Sequence, residues 1–181
     1  MFFSSLPVVF GLTASNFIPV VPILFIFILT SAGFLGFGSF GSKILTLPLW
    51  TLAAFHSFRL PLEIVLHMWS ETGTVPATMT WSGQNFDVIT GVIASFCFFP
   101  VFRRKSYIWF VNISGTLLLI NVLRVVVMSA PLPFSWNLEK PLLVIIELPY
   151  AWIATICVWA AIIGHIVLTR ALITKNFNPV R

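Results

Sequence analysis

The sequence predicts an all-α membrane protein, a polytopic transmembrane bundle of about five helices. Its 181 residues are 59% hydrophobic and only 8% charged, whereas soluble domains carry about 25% charged residues. The mean hydropathy is +1.03. Apolar runs alternate with shorter polar segments, and each crossing of a bilayer needs about 20 apolar residues. The composition argues against a water-soluble globule and predicts a single transmembrane domain over residues 1–181.

Five spans are the simplest division of these apolar runs. The first is interrupted by Pro7, Pro19 and Pro22, so the pattern leaves its ends undefined. The segment before the third span is rich in Thr, Gly and Ser, and the segment before the fifth contains three prolines; both compositions favour loops. The spans are predicted at about 6–37, 46–70, 86–102, 107–129 and 142–169, with outer loops at 71–85 and 130–141.

Basic residues set the predicted orientation. The turn Arg103-Arg104-Lys105 joins the third and fourth spans, and the tail 170–181 carries further basic residues. Lys43, between the first two spans, falls on the same side. Because basic loops stay in the cytoplasm, we predict an outside N-terminus and an inside C-terminus. These helix ends account for much of the net charge of +5, so the predicted partner is the lipid bilayer and not nucleic acid.

The second span carries four ionisable residues at membrane depth. His56, Arg59, Glu63 and His67 are separated by three, four and four residues, which places them on one face of a helix. Ionisable groups in a membrane are costly and usually face a protein interior, a cavity or one another. Pro61 lies between Arg59 and Glu63 and predicts a kink at that point.

Three other spans bring polar residues to a similar depth. With a rise of about 1.5 Å per residue, Asp87 opens the third span, Arg124 lies in the outer third of the fourth, and Glu147 lies near the outer end of the fifth. We therefore expect one polar pocket that opens outward and binds or conducts a small polar or ionic ligand. Its predicted residues are Arg59, Glu63, His67, Asn85, Asp87, Asn121, Arg124 and Glu147, with no metal site and no residue assigned to catalysis.

A structural role for the same charges is the main alternative. Arg59 with Glu63, and Arg124 with Asp87 or Glu147, are pairs that would neutralise each other and fix helix packing. No cofactor is predicted. His56 and His165 lie at similar depth on different spans, so a bis-histidine haem remains permitted by the sequence.

Two segments carry a resemblance. The second span contains an Arg-x-Pro-x-Glu segment at 59–63, and the following loop reads Met-Thr, then Gly-Gln-Asn-Phe-Asp at 83–87. They resemble an uncharacterised family of bacterial multi-pass integral membrane proteins, from about the second span to the C-terminus. That family has arginine where this chain has Gln84. The resemblance brings no function, but it implies that Arg59, Glu63, Asn85 and Asp87 belong together.

Three classes of function fit the sequence. The first is a carrier or channel built around the polar pocket; it would need a homo-oligomer, because five spans without an inverted repeat make a poor transporter alone. The second is an accessory subunit of a larger membrane complex, with structural ion pairs. The third is a membrane enzyme acting on a lipid-linked substrate, with Glu63, His67 and Asp87 as acid–base groups. The sequence leaves open whether the protein is an enzyme.

Overall fold

The computed structural model describes residues 14–144 and 150–174, and the side chains of 22–144, 150–153 and 155–174 among them. Every regular element in these ranges is helical, which confirms the all-α prediction. The helices are α1 Ala14–Phe37, α2 Ser39–Ile44, α3 Leu49–Ala54, α4 Arg59–Glu71, α5 Val88–Ser95, α6 Lys105–Ser129 and α7 Trp159–Thr174, with short 3-10 turns at Phe55–Phe58, Ala77–Met79, Phe96–Phe98 and Pro100–Phe102 and a π-helical segment at Ile153–Val158.

Three helical stretches are long and apolar enough to cross a membrane. They are Leu49–Glu71, Lys105–Ser129 and Thr155–Thr174. Pro22–Phe37 and Val88–Phe98 are shorter apolar helices. These stretches support an integral membrane protein and agree with the high apolar content of the chain.

Two predicted spans have different bounds in the structure. The third, predicted at 86–102, is α-helical only over Val88–Ser95 and continues as 3-10 turns, since Pro100 removes one backbone donor from the ladder. The fifth, predicted from 142, is not yet helical at its start, because residues 141–143 after the proline-rich loop form no regular element. The part of the first span before residue 14 lies outside the described residues.

The second span changes from α-helix to a 3-10 turn shortly before Pro61. Residues Phe55–Phe58 form a 3-10 turn between α3 and α4. Pro61 is the third residue of α4, and because it has no N–H it cannot donate to the carbonyls of this preceding turn. The irregularity that we expected at Pro61 therefore lies one turn earlier.

The bundle has two distinct ends, one rich in basic residues (the basic end) and one formed by the longer loops (the loop end). At the basic end, the guanidinium of Arg103 lies 4.0 Å from the Trp50 ring centroid, and Arg170 donates hydrogen bonds to the Gly36 carbonyl and to Ser42. At the loop end, the hydroxyls of Thr78 and Ser129 are 2.7 Å apart. One buried apolar cluster lies toward each end. Between the clusters, α4, α5 and α6 enclose buried polar side chains.

A close helix contact positions these polar groups. A Cβ on Gly91 would lie 2.5 Å from the backbone nitrogen of Leu60 and 2.9 Å from its Cα, so α5 meets the backbone of α4 directly. Asp87 lies one turn before Gly91, and the Gly91 N–H donates to its carbonyl. The glycine contact therefore brings Asp87 opposite Arg59, the residue next to Leu60.

Candidate functional site

A buried ion pair between α4 and the start of α5 forms the centre of the site. Nη1 of Arg59 donates to Oδ1 of Asp87 and lies 3.5 Å from the carbonyl oxygen of Gly115 on α6. Arg59 is 1% exposed. The pair links three helices, and the buried guanidinium depends on the protein for its counter-charge.

Asn85 connects the second carboxylate to the loop before α5. Its Nδ2 donates to Oε1 of Glu63 at 2.8 Å and to the Met79 carbonyl at 3.0 Å. Its Oδ1 accepts from the backbone N–H of Asp87 at 3.1 Å, which is the side-chain-to-backbone contact of an Asx turn. One asparagine therefore fixes Glu63 and sets the backbone from which Asp87 reaches Arg59.

Part of this polar group is unpaired. Among the side chains that the structure describes, none hydrogen-bonds Nε or Nη2 of Arg59, or Oε2 of Glu63. Buried donors and acceptors normally have partners. Two donor nitrogens and one acceptor oxygen of cavity-lining residues are thus buried without a partner among the described side chains.

A cavity with apolar walls adjoins these groups. Arg59, Glu63 and Asp87 line it on one side, and the volume that the centre of a water-sized sphere can occupy is about 60 Å³. This polar side is called the floor below. The walls are supplied by side chains from several helices, including Leu66, Trp69, Met79, Leu119, Val122 and Tyr150. Such a combination, apolar walls with a few fixed polar groups, is typical of small-molecule sites.

Arg124 and Asn121, predicted within the polar pocket, lie elsewhere. Arg124 is exposed; its Nη2 donates to Oδ1 of Asn121 at 2.9 Å and to Oε1 of Gln84 at 3.3 Å. Nδ2 of Asn121 donates to the Gln84 carbonyl at 2.7 Å. On α6 the buried residues Val122 and Val125 define the inward face, and Arg124 is rotated about 100° from Val125. The structure therefore places Arg124 on the exposed face of α6, apart from the buried pair of Arg59 and Asp87.

Two ion pairs named in the structural alternative, Arg59–Glu63 and Arg124–Asp87, are not among the contacts found. Arg59 pairs with Asp87 rather than with Glu63, and Arg124 contacts amides rather than Asp87. Arg59 and Glu63 are one turn apart on the same helix, but Asp87 faces Arg59 from a separate helix. Glu147 lies outside the described residues.

Of the four ionisable residues on one face of the second span, His67 is the one that is not buried. Its side chain is 31% exposed, with Nε2 3.6 Å from Oε1 of Glu71. Its ring stacks on Trp81 with centroids 4.3 Å apart. His67 thus contacts the loop end of the bundle, whereas the other three members, His56, Arg59 and Glu63, are buried.

The two remaining histidines stack on each other. The ring centroids of His56 and His165 are 3.9 Å apart, with 19° between the ring planes. Nδ1 of His165 lies 3.0 Å from Oδ1 of Asn112. A haem held between the rings would require them to separate, because they are in direct contact. Across the described ranges, no group of three or more His, Cys, Asp or Glu residues is arranged to hold a metal ion.

Several features of the site were not predicted from the sequence. The cavity walls were missed, although apolar residues at helical spacing on α6, such as Leu119, Val122 and Val126, are the signal for an inward face. Gly91 and Gly115 were also missed. Single glycines inside helical patterns signal close packing, and here they admit Leu60 and the ring of His165.

Comparison of the chain with protein families, with characterised proteins and with solved structures gives no match.

Proposed function

We propose that this protein binds a membrane-dissolved amphiphilic ligand in the cavity, with the polar or ionic end of the ligand at the floor. The observation that carries the proposal is the buried floor of Arg59, Glu63 and Asp87 beneath apolar walls. Unpaired donors and acceptors at a cavity are a cost that a ligand would offset. A small ion alone would not use the walls, so an apolar chain behind the polar end fits the cavity better.

The positions of the basic residues support an outward-facing site. We propose about five spans, with the N-terminus outside and the C-terminus inside the bacterial cytoplasmic membrane. Arg103 and Arg170 both lie at the basic end, and basic residues mark the cytoplasmic side. The cavity lies toward the opposite end, beside the loop residues Val75 and Met79. A ligand would then enter from the outer half of the bilayer.

The proposal is tested by filling the cavity. Leu119 is 5% exposed and lines the cavity, whereas Leu117 on the same helix is 62% exposed. The protein is placed in phosphatidylcholine nanodiscs with diazirine-bearing palmitate or hexadecanol, irradiated, and its adducts are mapped by peptide mass spectrometry. Adducts are expected on cavity residues, lower by about tenfold in Leu119→Trp and unchanged in Leu117→Trp.

Two results would count against ligand binding in the cavity. Adducts confined to exposed residues would indicate ordinary lipid contact. Equal adduct yields in the two tryptophan variants would indicate that the cavity is not the binding place. Either result would favour the accessory-subunit alternative, in which the Arg59–Asp87 pair only joins α4 to α5.

A further inference from the structure

Building on the proposed amphiphile site, we propose that the ligand carries an oxyanion, a carboxylate or a phosphate, that binds the Nε–Nη2 edge of Arg59. The two N–H groups of this edge take no part in the ion pair with Asp87 or in the apolar walls, and an oxyanion would give them a partner. It narrows the ligand from amphiphiles in general to lipid-type acids.

The first step is the distribution of contacts around the guanidinium. Both contacts of Arg59 within hydrogen-bonding distance, to Asp87 and to the Gly115 carbonyl, are made by Nη1. Within the described part of the chain, Nε and Nη2 have no acceptor. These two N–H groups point in parallel and match the two oxygens of a carboxylate or phosphate, which is the bidentate geometry preferred by arginine. The contacts of Nη1 therefore leave the Nε–Nη2 edge, which suits an oxyanion best, without a partner among the described residues.

The second step is the rigidity of that edge. Arg59 is 1% exposed, so its side chain is held within the protein and does not extend to the membrane surface. Asp87 restrains Nη1 from α5, and the contact of Gly91 with Leu60 holds α5 against α4. A donor pair that is fixed before the ligand arrives loses little conformational freedom on binding.

The third step is the neighbouring carboxylate. Glu63 lies one turn along α4 on the same buried face, and its Oε2 accepts no hydrogen bond from any described residue. An arriving oxyanion meets this oxygen as well as the arginine. One proton shared between Oε2 and a ligand oxygen would form an O–H···O hydrogen bond and avoid two facing negative charges. In Glu63→Gln, the amide N–H can donate to the same ligand oxygen, so oxyanion binding should persist.

The headgroup preference is measured on the unmodified protein in phosphatidylcholine nanodiscs. Four unlabelled amphiphiles with one chain length compete against diazirine-bearing palmitate: palmitate, hexadecyl phosphate, hexadecanol and hexadecyltrimethylammonium. At least one acid is expected to compete at a concentration about tenfold lower than the alcohol, because an anionic oxygen accepts stronger hydrogen bonds from the guanidinium than a neutral hydroxyl does. Preference for palmitate indicates a fatty-acid-type ligand, and preference for hexadecyl phosphate indicates a lipid phosphate.

The results separate this inference from the proposed function. If the acids, the alcohol and the ammonium compete equally through the cavity, the cavity binds amphiphiles but the oxyanion inference is overturned. If adduct formation is insensitive to all four, or to Leu119→Trp, the proposed function itself fails.

Two arginine variants test which guanidinium is responsible. Arg59→Lys keeps a positive charge beside Asp87 but removes the two parallel N–H groups, so the preference for acids over the alcohol should be lost. Arg124→Lys is the matched control on the exposed arginine and should leave the preference unchanged. An unchanged preference in a folded Arg59→Lys protein would overturn the inference.

Glu147→Gln tests whether a carboxylate of the chain itself occupies the Nε–Nη2 edge of Arg59. If a carboxylate of the chain itself held Nε and Nη2, removing it would raise the affinity for added acids by about tenfold or more, and this would overturn the proposal. We expect no change in affinity from this substitution.

Discussion

The two arginines that the sequence placed in one pocket are held in opposite ways. Arg59 is buried between α4, α5 and α6, with an aspartate as its counter-charge. Arg124 is exposed on α6, where its neighbours are the amides of Asn121 and Gln84 and the ring of Trp136, 5.6 Å away. Arg124 has no counter-charge among the described residues, which is tolerated where its head can reach water or headgroups, whereas a buried arginine needs a counter-charge.

Depth along a helix therefore does not by itself define the environment of a charge. Arg124 was assigned to the interior from its distance to the end of its span. The rotation of α6 instead places Val122, Val125 and Val126 inside and turns Arg124 away. Arg59, by contrast, lies at the tightened turn where α3 passes into α4, on the face that meets α5. The helix face, more than the depth, decides whether the arginine needs Asp87.

Removing the counter-charge of Arg59 should have the largest effect. Asp87→Ala leaves a buried guanidinium without its carboxylate, and breaking such a pair costs about 3–5 kcal/mol. The free energy of unfolding, measured by denaturant titration in mild detergent, should fall by that amount. The double variant Arg59→Met/Asp87→Leu should recover most of the loss, since an apolar replacement of a buried pair is often neutral, and it should lose all preference for acidic amphiphiles.

If Asp87→Ala lowers the free energy of unfolding by less than about 1 kcal/mol, as is typical of an exposed pair, the two arginines do not differ in their need for a counter-charge. It would mean that Arg59 finds another counter-charge or reaches solvent.

The second test acts on the helix contact that brings the pair together. Gly91→Ala would place a methyl group 2.5 Å from the Leu60 nitrogen, and the backbone of α4 must shift to admit it. Overpacking of this kind costs about 1–3 kcal/mol, and it should also displace Asp87 from Arg59. Thermal unfolding in detergent measures the loss of stability.

Gly33→Ala is the matched control for the glycine test. A Cβ at Gly33 meets no described atom within 4 Å, so this helix-interior substitution should be neutral or stabilise by up to about 1 kcal/mol. Equal effects at Gly33 and Gly91 would show that the close contact with Leu60 is not what positions α5.

The third test compares the two asparagines beside the two arginines. Asn85→Ala removes the donor to Glu63 and Met79 and should cost about 1–3 kcal/mol, because buried groups lose their partner. Asn121→Ala removes a contact to the Gln84 carbonyl at the exposed group and should cost less than about 1 kcal/mol. The same denaturant titration serves for both, and a larger loss for Asn121 would reverse the assignment of the buried site.

The sequence predicts the helical class and the burial of one face of the second span. The three-, four- and four-residue spacing indicates that face directly, and three of its four ionisable residues are buried. The spacing does not predict that Glu63 bonds Asn85 while Arg59 bonds Asp87. Those partners depend on the Asx turn at Asn85 and on the approach of α5 at Gly91, which are set by packing between segments far apart in the chain.

The volume of the cavity and the combination of segments that form its walls were beyond sequence reasoning for a similar reason. Its walls come from α4, the loop before α5, α6, the residues Leu142 and Val144, and the stretch from Tyr150 to Ala161, and none of these segments has a pattern distinct from ordinary apolar helix or loop. A cavity forms where side chains leave space between packed helices, so its size depends on the assembled bundle. Hydrophobic periodicity gives the direction of each helix face but not the gap between faces.

The smallest effect is expected from Arg124 itself. Arg124→Ala removes hydrogen bonds to two exposed or half-exposed amides and a 5.6 Å contact with the Trp136 ring. Exposed contacts of this kind contribute about 0.5–1 kcal/mol at most, so the free energy of unfolding should change by less than about 1 kcal/mol while the competition of acidic amphiphiles stays as in the unmodified protein. If Arg124→Ala instead abolishes that competition, the oxyanion binds at the exposed arginine, and the buried edge of Arg59 serves only to join the helices.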